Sequence, residues 1–335
     1  MEKIRVLIVD DSALVRVALR TILESDPIFE VVGEAKDGRE GVEKTFRLKP
    51  NVVTMDLKMP VMGGVEAIKE IMEKIPTPVI IISSLDVNVI VRALGAGAMD
   101  FVPVTGEVET IADEVIEKVR IASRIRPLKH IHLKPLVHKV AERGLPESSK
   151  KIVVIGISTG GPQALQVLFS QLPENFPAGI IVVQHMANGF VEGLTEWLQG
   201  SSPLQIRVAK AGDIIQRGTV LFAPDAVNLG ISEQGTIFLK EDHSHKMLYV
   251  PSINFLMESA AMNYGQNLVG VLMTGMGSDG ADGLGRIQRQ GGVTIAQDEK
   301  SSIIFGMNKV AIEKGYADHI LPLEKIADEL IRLVE

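Results

Sequence analysis

The sequence predicts an α/β protein of two domains, each with a doubly wound, mostly parallel sheet that carries helices on both faces. Short apolar runs rich in β-branched residues alternate with segments of helical spacing in both halves of the chain. At 335 residues the chain is also too long for one typical core. Residues 123–149 interrupt the alternation with three prolines and an excess of basic side chains, as is typical of a linker. We therefore expect domains at residues 1–122 and 150–335.

The first domain contains five apolar runs that alternate with segments of helical spacing, which predicts a (βα)₅ sheet. The predicted strands cover residues 4–10, 29–35, 51–56, 78–83 and 99–103. In a doubly wound sheet, ligands bind beyond the carboxyl ends of the strands. Asp10, Asp11, Asp56 and Ser83 lie at such ends and are therefore candidate functional residues.

The second domain shows the same alternation. Its strongest strands are predicted at residues 151–158, 178–185, 267–273 and 291–297. The runs QIRVAKA, TVLFAP and TIFLK predict shorter strands, including an antiparallel edge. The last helix, expected at residues 324–334, is amphipathic and should pack on the sheet.

Composition and charge argue against several classes of protein. A net charge of −7 argues against a nucleic-acid-binding protein, which needs a basic face. The chain has no cysteine, which excludes disulfides and thiol catalysis and fits a reducing cytoplasm. The N-terminus lacks the apolar core of a signal peptide, and no apolar run approaches the ~20 residues of a membrane-spanning helix. We expect a soluble, cytoplasmic protein that meets a membrane only through a partner.

Three of the seven histidines, His130, His132 and His138, lie in the linker. Histidines can bind a metal ion, but no cysteine or carboxylate clusters with these three. A solvated basic linker is the better interpretation.

Asp10 and Asp11 end the first predicted strand, and Asp56 ends the third. Adjacent strand ends would bring the three carboxylates together, which is costly unless a cation such as Mg²⁺ binds them. One carboxylate could then attack a phosphoryl donor and form an acyl phosphate. Alternatively, Asp10 or Asp11 merely caps the following helix, as Ser12 could.

Together with the motifs MDLKMPVMGG, IIISS and GAMDFVP, the VDDS motif resembles a two-component receiver domain, which has a flavodoxin-like fold. The resemblance extends over about residues 5–122. It implies that Asp56 is the phospho-acceptor and that Asp10 and Asp11 help it to bind Mg²⁺, the only cofactor expected.

The same resemblance implies that Ser83 is the switch hydroxyl and that Phe101 is the aromatic side chain that reorients on activation. A partly buried aromatic residue on an edge strand would explain Phe101 equally well. Receivers usually carry a lysine after the fifth strand, where it contacts the phosphoryl group, but this chain has Val104 there. Valine cannot donate a charged hydrogen bond. Either another cation, for which Lys58 is a candidate, replaces the lysine, or phosphorylation is coupled less tightly to the switch.

The run VVIGISTGGPQAL places Ser158 after an apolar strand and before a helical segment that begins near Pro162. The spacing Gly156-x-Ser158-x-Gly160 matches a nucleophile elbow, in which glycines allow a tight turn that exposes the hydroxyl. The amino end of the helix would favour an oxyanion. A phosphate- or dinucleotide-binding turn is the alternative, because glycine-rich turns between strand and helix also bind phosphate.

A serine nucleophile needs a base. His185 ends the predicted strand that follows Ser158, and consecutive strands are usually neighbours, so the two side chains should lie close together. His243 and His245 occupy a polar loop and are expected to be solvated or to face the substrate. His319 is expected to be structural.

The base in turn needs an orienting carboxylate, for which the candidates are Asp225, Asp279, Asp282 and Asp298. Asp279 is favoured because it follows an apolar strand in the glycine-dense turn MTGMGSDGADG. Asp282 lies about one turn later and is expected in the first turn of the helix.

The order Ser–His–Asp differs from the Ser–Asp–His order of the α/β-hydrolases, so their common topology is not expected. The motifs GISTGG, QHM and TGMGSDGA are similar to those of chemotaxis protein-glutamate methylesterases, and the resemblance covers nearly the whole chain. It implies an active site of Ser158, His185 and Asp279. It also implies that Thr159 helps to position the histidine and that the Met276 backbone amide binds the oxyanion.

This family implies an enzyme that hydrolyses glutamate methyl esters on methyl-accepting chemoreceptors, releases methanol and deamidates glutamines. A chemotaxis histidine kinase would phosphorylate Asp56 and relieve a block of the catalytic face by the receiver. Ala187 and Asn308 stand where the family commonly has proline, but neither removes a catalytic group. The rival hypotheses are a phosphorylation-controlled binding module with a degenerate hydrolase fold and a DNA-binding response regulator. Intact catalytic residues argue against the first, and the lack of a basic face and of a clear helix-turn-helix argues against the second.

Overall fold

The computed structural model describes residues 3–84, 87–104, 106, 108–125, 150–242 and 249–335. The chain divides into two units, Met1–His132 and Leu133–Glu335. The predicted linker spans this division. Only its first three residues are described; the rest of the linker, with its three histidines, lies outside the described residues. The limits of the linker and the role of its histidines therefore stay predictions.

The first unit alternates strands and helices. Its elements are β1 (Ile4–Val9), α1 (Ala13–Glu24), β2 (Phe29–Ala35), α2 (Gly38–Leu48), β3 (Val52–Met55), α3 (Gly64–Lys74), β4 (Val79–Ser83), α4 (Val87–Gly95), β5 (Asp100–Pro103) and α5 (Ala112–Ala122). The strands form one parallel sheet in the order β2-β1-β3-β4-β5. Every residue of β3 and β4 is buried, which explains their continuous apolar sequences. The (βα)₅ prediction is confirmed, with each strand end within one residue of its expected position.

The second unit contains a larger sheet. Its elements are β6 (Ile152–Ile157), α6 (Gly161–Gln171), β7 (Gly179–Gln184), α7 (Val191–Gln199), β8 (Gln205–Val208), β9 (Thr219–Phe222), β10 (Asn228–Ile231), β11 (Ile237–Lys240), α8 (Ile253–Tyr264), β12 (Leu268–Leu272), α9 (Ala281–Arg289), β13 (Val293–Gln297), α10 (Met307–Glu313), β14 (His319–Leu321) and α11 (Leu323–Val334). Seven of these strands form a sheet in the order β14-β13-β12-β6-β7-β9-β8.

The expected antiparallel edge is wrong for this sheet, since all of its strand pairs are parallel. The antiparallel pair is a separate two-stranded sheet of β10 and β11. The sequence pattern does not predict β10, because the glycine within this strand weakens the pattern. That glycine, Gly230, lies against the ring of Phe238, where a Cβ would come within 2.4 Å of the ring.

Side chains of β6 alternate between two apolar cores, one on each face of the sheet. Val153, Ile155 and Ile157 share one core with α6, α7 and α11. Ile152 and Val154 share the other with α8, α9 and α10. The second unit is therefore doubly wound, and the prediction that the last helix packs on the sheet is confirmed.

None of the helices in the described parts of the chain combines the length and the apolar character that crossing a membrane requires.

Candidate functional site

Ser158 lies where the connections of the large sheet change direction. The chain leaves β6 toward β7 and later returns to β12 on the other side of β6, which makes this the switch point where doubly wound sheets bind ligands. The Ser158 N–H donates to the carbonyl of Thr274 after β12 (3.0 Å), and its carbonyl accepts from Gly161 (2.8 Å). Gly160 has φ of +80° and caps α6, as a tight turn requires. The strand–turn–helix context predicted for Ser158 is confirmed.

Gly275 packs directly on Ser158. A Cβ at Gly275 would lie 2.6 Å from the Ser158 Cβ, so only glycine allows this approach. The contact brings the next residue, Met276, close to the turn that follows Ser158. Among the described residues, the backbone amide of Met276 donates no hydrogen bond. An unused amide beside Ser158 is a suitable donor for an oxyanion.

His185 and Asp279 form a buried pair at the same edge of the sheet. His185 Nε2 lies 3.0 Å from Asp279 Oδ2, and the two side chains are 9% and 8% exposed. Within the described part of the chain, His185 Nδ1 is buried and has no hydrogen-bond partner. Since Nε2 faces the carboxylate, Nδ1 is the nitrogen that remains to accept a proton.

The Asp279 carboxylate lies against the amino end of α8. Besides His185, its carboxylate accepts from the Ser252 hydroxyl and from the backbone amides of Ile253, Asn254 and Gly280. Burial by itself raises the pKa of Asp279, but the hydrogen bonds from His185 and from the backbone outweigh it and hold the pKa below 3.8. Asp279 is therefore an anion whenever the protein is near neutral pH.

Tyr249, which no sequence pattern indicates, is a neighbour of this pair. Its ring stacks on His185 with a centroid distance of 4.5 Å and an interplanar angle of 13°. Its hydroxyl would lie 3.3 Å from a Cβ at Gly277, beside the Met276 turn. No local sequence signal marks this tyrosine, because it reaches His185 only through the folding of the segment before α8.

The other candidate side chains lie elsewhere or make other contacts. Asp282 lies in the first turn of α9, as expected, and pairs with Lys314 (2.7 Å). Asp298 accepts from Ser301. Asp225 accepts from the Gly189 amide, and burial raises its pKa. His319 begins β14 and faces Glu329, whereas His243 and His245 lie outside the described residues.

The first unit brings its predicted polar residues together at the ends of β1, β3 and β4. Asp56 Oδ1 accepts from the Ser83 hydroxyl (2.7 Å), and Oδ2 accepts from the Lys58 amide (3.1 Å). Asp10 is buried and accepts from the Ser12 amide (2.8 Å), whereas Asp11 is exposed. Ser12 itself caps α1, so neither aspartate is needed as the cap.

The pKa values at this pocket reflect burial and mutual repulsion. Burial, together with the charges of Asp56 and Asp11, raises the pKa of Asp10 to about 6 despite the Ser12 hydrogen bond. Burial also raises the pKa of Asp56, against the hydrogen bonds from Ser83 and two backbone amides. A nearby cation would relieve this cost.

Mg²⁺ fits this donor set. Among the described residues, no group of three or more acidic, histidine or cysteine side chains is arranged to hold a metal ion unaided. Mg²⁺ does not need three protein side chains, because it is usually bound by one or two carboxylates and completes its octahedral coordination with water. The charges of Asp56 and Asp11 each contribute to the raised pKa of Asp10, and a cation bound beside these carboxylates would relieve that repulsion.

Asp10→Asn is expected to stabilise the first unit at neutral pH, without Mg²⁺, by about 1–3 kcal/mol, because one pKa unit corresponds to about 1.4 kcal/mol. Between the ordinary pKa of 3.8 and about 6, unfolded chains bind fewer protons at Asp10 than folded ones, so stability falls as pH rises through this range. Thermal unfolding of the full chain in a chelator, followed against pH, measures this difference. Equal pH dependence in the variant and the parent would contradict it.

Phe101 and Val104 lie on and after β5. Phe101 is 3% exposed, and the Lys118 ammonium lies 5.3 Å from its ring centroid. Phe101 is thus a buried aromatic residue, and its reorientation stays a prediction. The Val104 amide donates to the Ser83 carbonyl (3.1 Å). Lys58 is exposed beside Asp56, and its role as the substitute cation also stays a prediction.

Comparison with known proteins identifies both units. A family model described as CheB methylesterase matches residues 153–330, and one described as response regulator receiver domain matches residues 6–115. A protein of Thermotoga maritima named protein-glutamate methylesterase/protein-glutamine glutaminase is 43% identical over 99% of this chain and 98% of its own length. The chain belongs to this methylesterase family. The family resemblance inferred from the motifs is confirmed.

Other members of the methylesterase family are similarly close. A protein of Pyrococcus abyssi with the same name is 42% identical over 99% of this chain and 94% of its own length. The crystal structure of the Thermotoga maritima CheB methylesterase catalytic domain is 42% identical to this chain, with a TM-score of 0.53. It covers 55% of this chain and 98% of its own, so the fold of a methylesterase catalytic domain is present here.

Proposed function

We propose that this chain hydrolyses glutamate methyl esters on chemoreceptors, with release of methanol, and deamidates receptor glutamines. Ser158 is the nucleophile, His185 the base and Asp279 the carboxylate that orients the base. The observation that carries this proposal is the buried His185–Asp279 pair at the edge where Ser158 begins the turn after β6, with His185 Nδ1 unpartnered among the described residues.

The proposed reaction uses His185 as a proton shuttle. Nδ1 takes the proton of the Ser158 hydroxyl as the oxygen attacks the ester carbonyl. The protonated ring, stabilised by the Asp279 charge at Nε2, then protonates the departing methoxide. Water attacks the resulting acyl-enzyme by the same route and releases glutamate. A glutamine forms the same acyl-enzyme with loss of ammonia.

Two groups support the oxyanion of the tetrahedral intermediate in this proposal. The Met276 amide has no acceptor among the described residues and adjoins the glycine that packs on Ser158. The amino end of α6, which begins at Gly161, presents a positive dipole to the same turn. Thr159, between Ser158 and Gly160, is proposed to help position His185.

The receiver unit is proposed to control this activity. Asp56 accepts a phosphoryl group from a chemotaxis histidine kinase, and Asp10 and Asp11 join it in holding Mg²⁺. The cation, when bound, neutralises charge on the transferring phosphoryl group. Ser83 donates to Asp56 and, in this proposal, donates to a phosphoryl oxygen once Asp56 is phosphorylated.

Methanol release from a methylated chemoreceptor tests the proposed activity. The full chain is expected to release methanol, and mass spectrometry is expected to detect glutamate in place of receptor glutamine. Ser158→Ala is expected to do neither. Equal release by the two proteins would disprove the catalytic assignment, and binding of receptor without release by either would favour the binding-module hypothesis.

Val104→Lys is expected to strengthen control by phosphorylation. A lysine can donate a charge-assisted hydrogen bond to the phosphoryl group, so activation by a small phosphodonor with Mg²⁺ should rise by about 3- to 10-fold. The measured quantity is the ratio of methanol-release rates with and without phosphodonor. Val104→Met, of similar length but uncharged, is the control, and Asp56→Asn should show no activation. An equal ratio for the lysine and methionine variants would contradict the prediction.

A further inference from the structure

Gln184 joins the backbones of the proposed nucleophile and base. It is the last residue of β7, directly before His185, and is 6% exposed. Its Nε2 donates to the carbonyl of Ser158 (2.9 Å) and to the carbonyl of His185 (2.8 Å). One side-chain amide thus uses both of its N–H groups to connect two segments that are 26 residues apart.

The orientation of this amide is set by its partners. Only the NH₂ end of a glutamine can face two carbonyl groups, so Oε1 must point the other way. Within the described residues, Oε1 is buried and has no hydrogen-bond partner. A buried acceptor without a partner is costly, so apolar packing does not explain a glutamine here. Methionine, which has a similar length, would fill the site without that cost.

The surrounding backbone is adapted to the glutamine. A Cβ at Gly161 would lie 1.8 Å from Gln184 Oε1, so this glutamine requires glycine at position 161. The Gly161 amide also donates to the Ser158 carbonyl (2.8 Å). That carbonyl therefore accepts two hydrogen bonds, which together fix the peptide plane after Ser158.

We propose that Gln184 is a positioning residue that sets the distance between Ser158 Oγ and His185 Nδ1. This inference rests on the proposed triad. The His185 ring is already held through Nε2 by Asp279, so its approach to Ser158 depends on the spacing of the two backbones. The two backbones are joined by the His185 amide, which donates to the Ile157 carbonyl (3.0 Å), and the hydrogen bonds of Gln184 extend this connection to Ser158.

The test replaces Gln184 in the full chain and compares kcat with KM for methanol release. Gln184→Met removes both donors, and kcat is expected to fall about 10- to 100-fold, as is typical of small misplacements of reacting groups. KM should change by less than about threefold, because no group that binds substrate is altered.

Gln184→Glu adds a pH readout that a structural role would not produce. An ionised carboxylate would face two carbonyl oxygens, whereas the protonated acid can donate one hydrogen bond. The kcat of this variant relative to the parent should therefore rise as pH falls from about 9 to about 6. For Gln184→Met the same ratio should not change with pH.

Gln199→Met is the matched control. Gln199 also makes two hydrogen bonds to backbone, to the Leu204 carbonyl (2.9 Å) and from the Ile206 amide (2.8 Å), at the opposite end of α7 from the site. The kcat of Gln199→Met, per folded molecule, should stay within about twofold of the parental value.

An unchanged kcat in Gln184→Met, or a fall no larger than that of Gln199→Met, would overturn the proposal. Loss of the folded state in both Gln184 variants would assign Gln184 to folding and would overturn it as well. Activity retained by Ser158→Ala would be a different result, since it refutes the triad itself.

Discussion

Ser158→Ala is expected to lower kcat for methanol release by about 10⁵- to 10⁶-fold, the loss typical when the nucleophile of a serine hydrolase triad is removed. Alanine leaves the turn intact, because the Ser158 backbone contacts to Thr274 and Gly161 do not involve the hydroxyl. KM should therefore stay nearly unchanged. Stopped assays of methanol release, with initial rates at several receptor concentrations, measure both quantities.

Two controls separate lost chemistry from lost structure. The double variant Ser158→Ala/His185→Ala should be no slower than Ser158→Ala alone, because the triad acts as a unit. Ser170→Ala, which removes a helix hydroxyl bonded to the Val167 carbonyl, should keep the parental rate. A further loss in the double variant would mean that His185 acts independently of Ser158.

Asp279→Asn is expected to lower kcat by about 10³- to 10⁴-fold. The carboxylate accepts from His185 on one side and from Ser252 and backbone amides on the other. An asparagine NH₂ would face one of these donors, so either the His185 contact or the anchoring to α8 is lost. The charge that stabilises the protonated imidazole is lost in either case.

Asp282→Asn is the matched control for this substitution. Asp282 lies three residues further along and pairs with Lys314 at the surface, so its loss should leave kcat nearly unchanged. Equal kcat values for the two variants would refute the role given to Asp279.

The low pKa of Asp279 predicts the pH range in which its carboxylate stabilises the fold. This stabilisation is present above pH 3.8 and is lost as pH falls through the lower folded-state pKa. Acid unfolding should therefore begin at higher pH in Asp279→Asn than in the parent.

The positions of the site residues were predictable because each belongs to a local pattern. Ser158, His185 and Asp279 lie at or beyond the ends of buried apolar strands. Parallel strands present their carboxyl ends at one edge of the sheet, so strand-end residues become neighbours without further information. The same reasoning placed Asp56 beside Ser83 in the first unit.

Contacts between side chains of different elements could not be predicted in the same way. Tyr249 stacks on His185, and Gly230 makes room for Phe238, but neither contact has a fixed spacing along the chain. The expectation of an antiparallel edge is wrong for the same reason, since an apolar pattern identifies a strand but not the strand with which it pairs. The strand β10 is not predicted because its glycine weakens the pattern.

The sequence by itself determined the two α/β units and the side chains that lie at the carboxyl edge of each sheet. Hydrophobic periodicity and position at a strand end are local properties of the sequence. In a parallel sheet, residues at the carboxyl ends of adjacent strands become neighbours. The tertiary structure alone decided that Nε2 of His185 faces Asp279, that the start of α8 holds Asp279, and that Gln184 joins the backbones of Ser158 and His185. These are side-chain directions and hydrogen bonds between distant segments, which depend on how the elements pack.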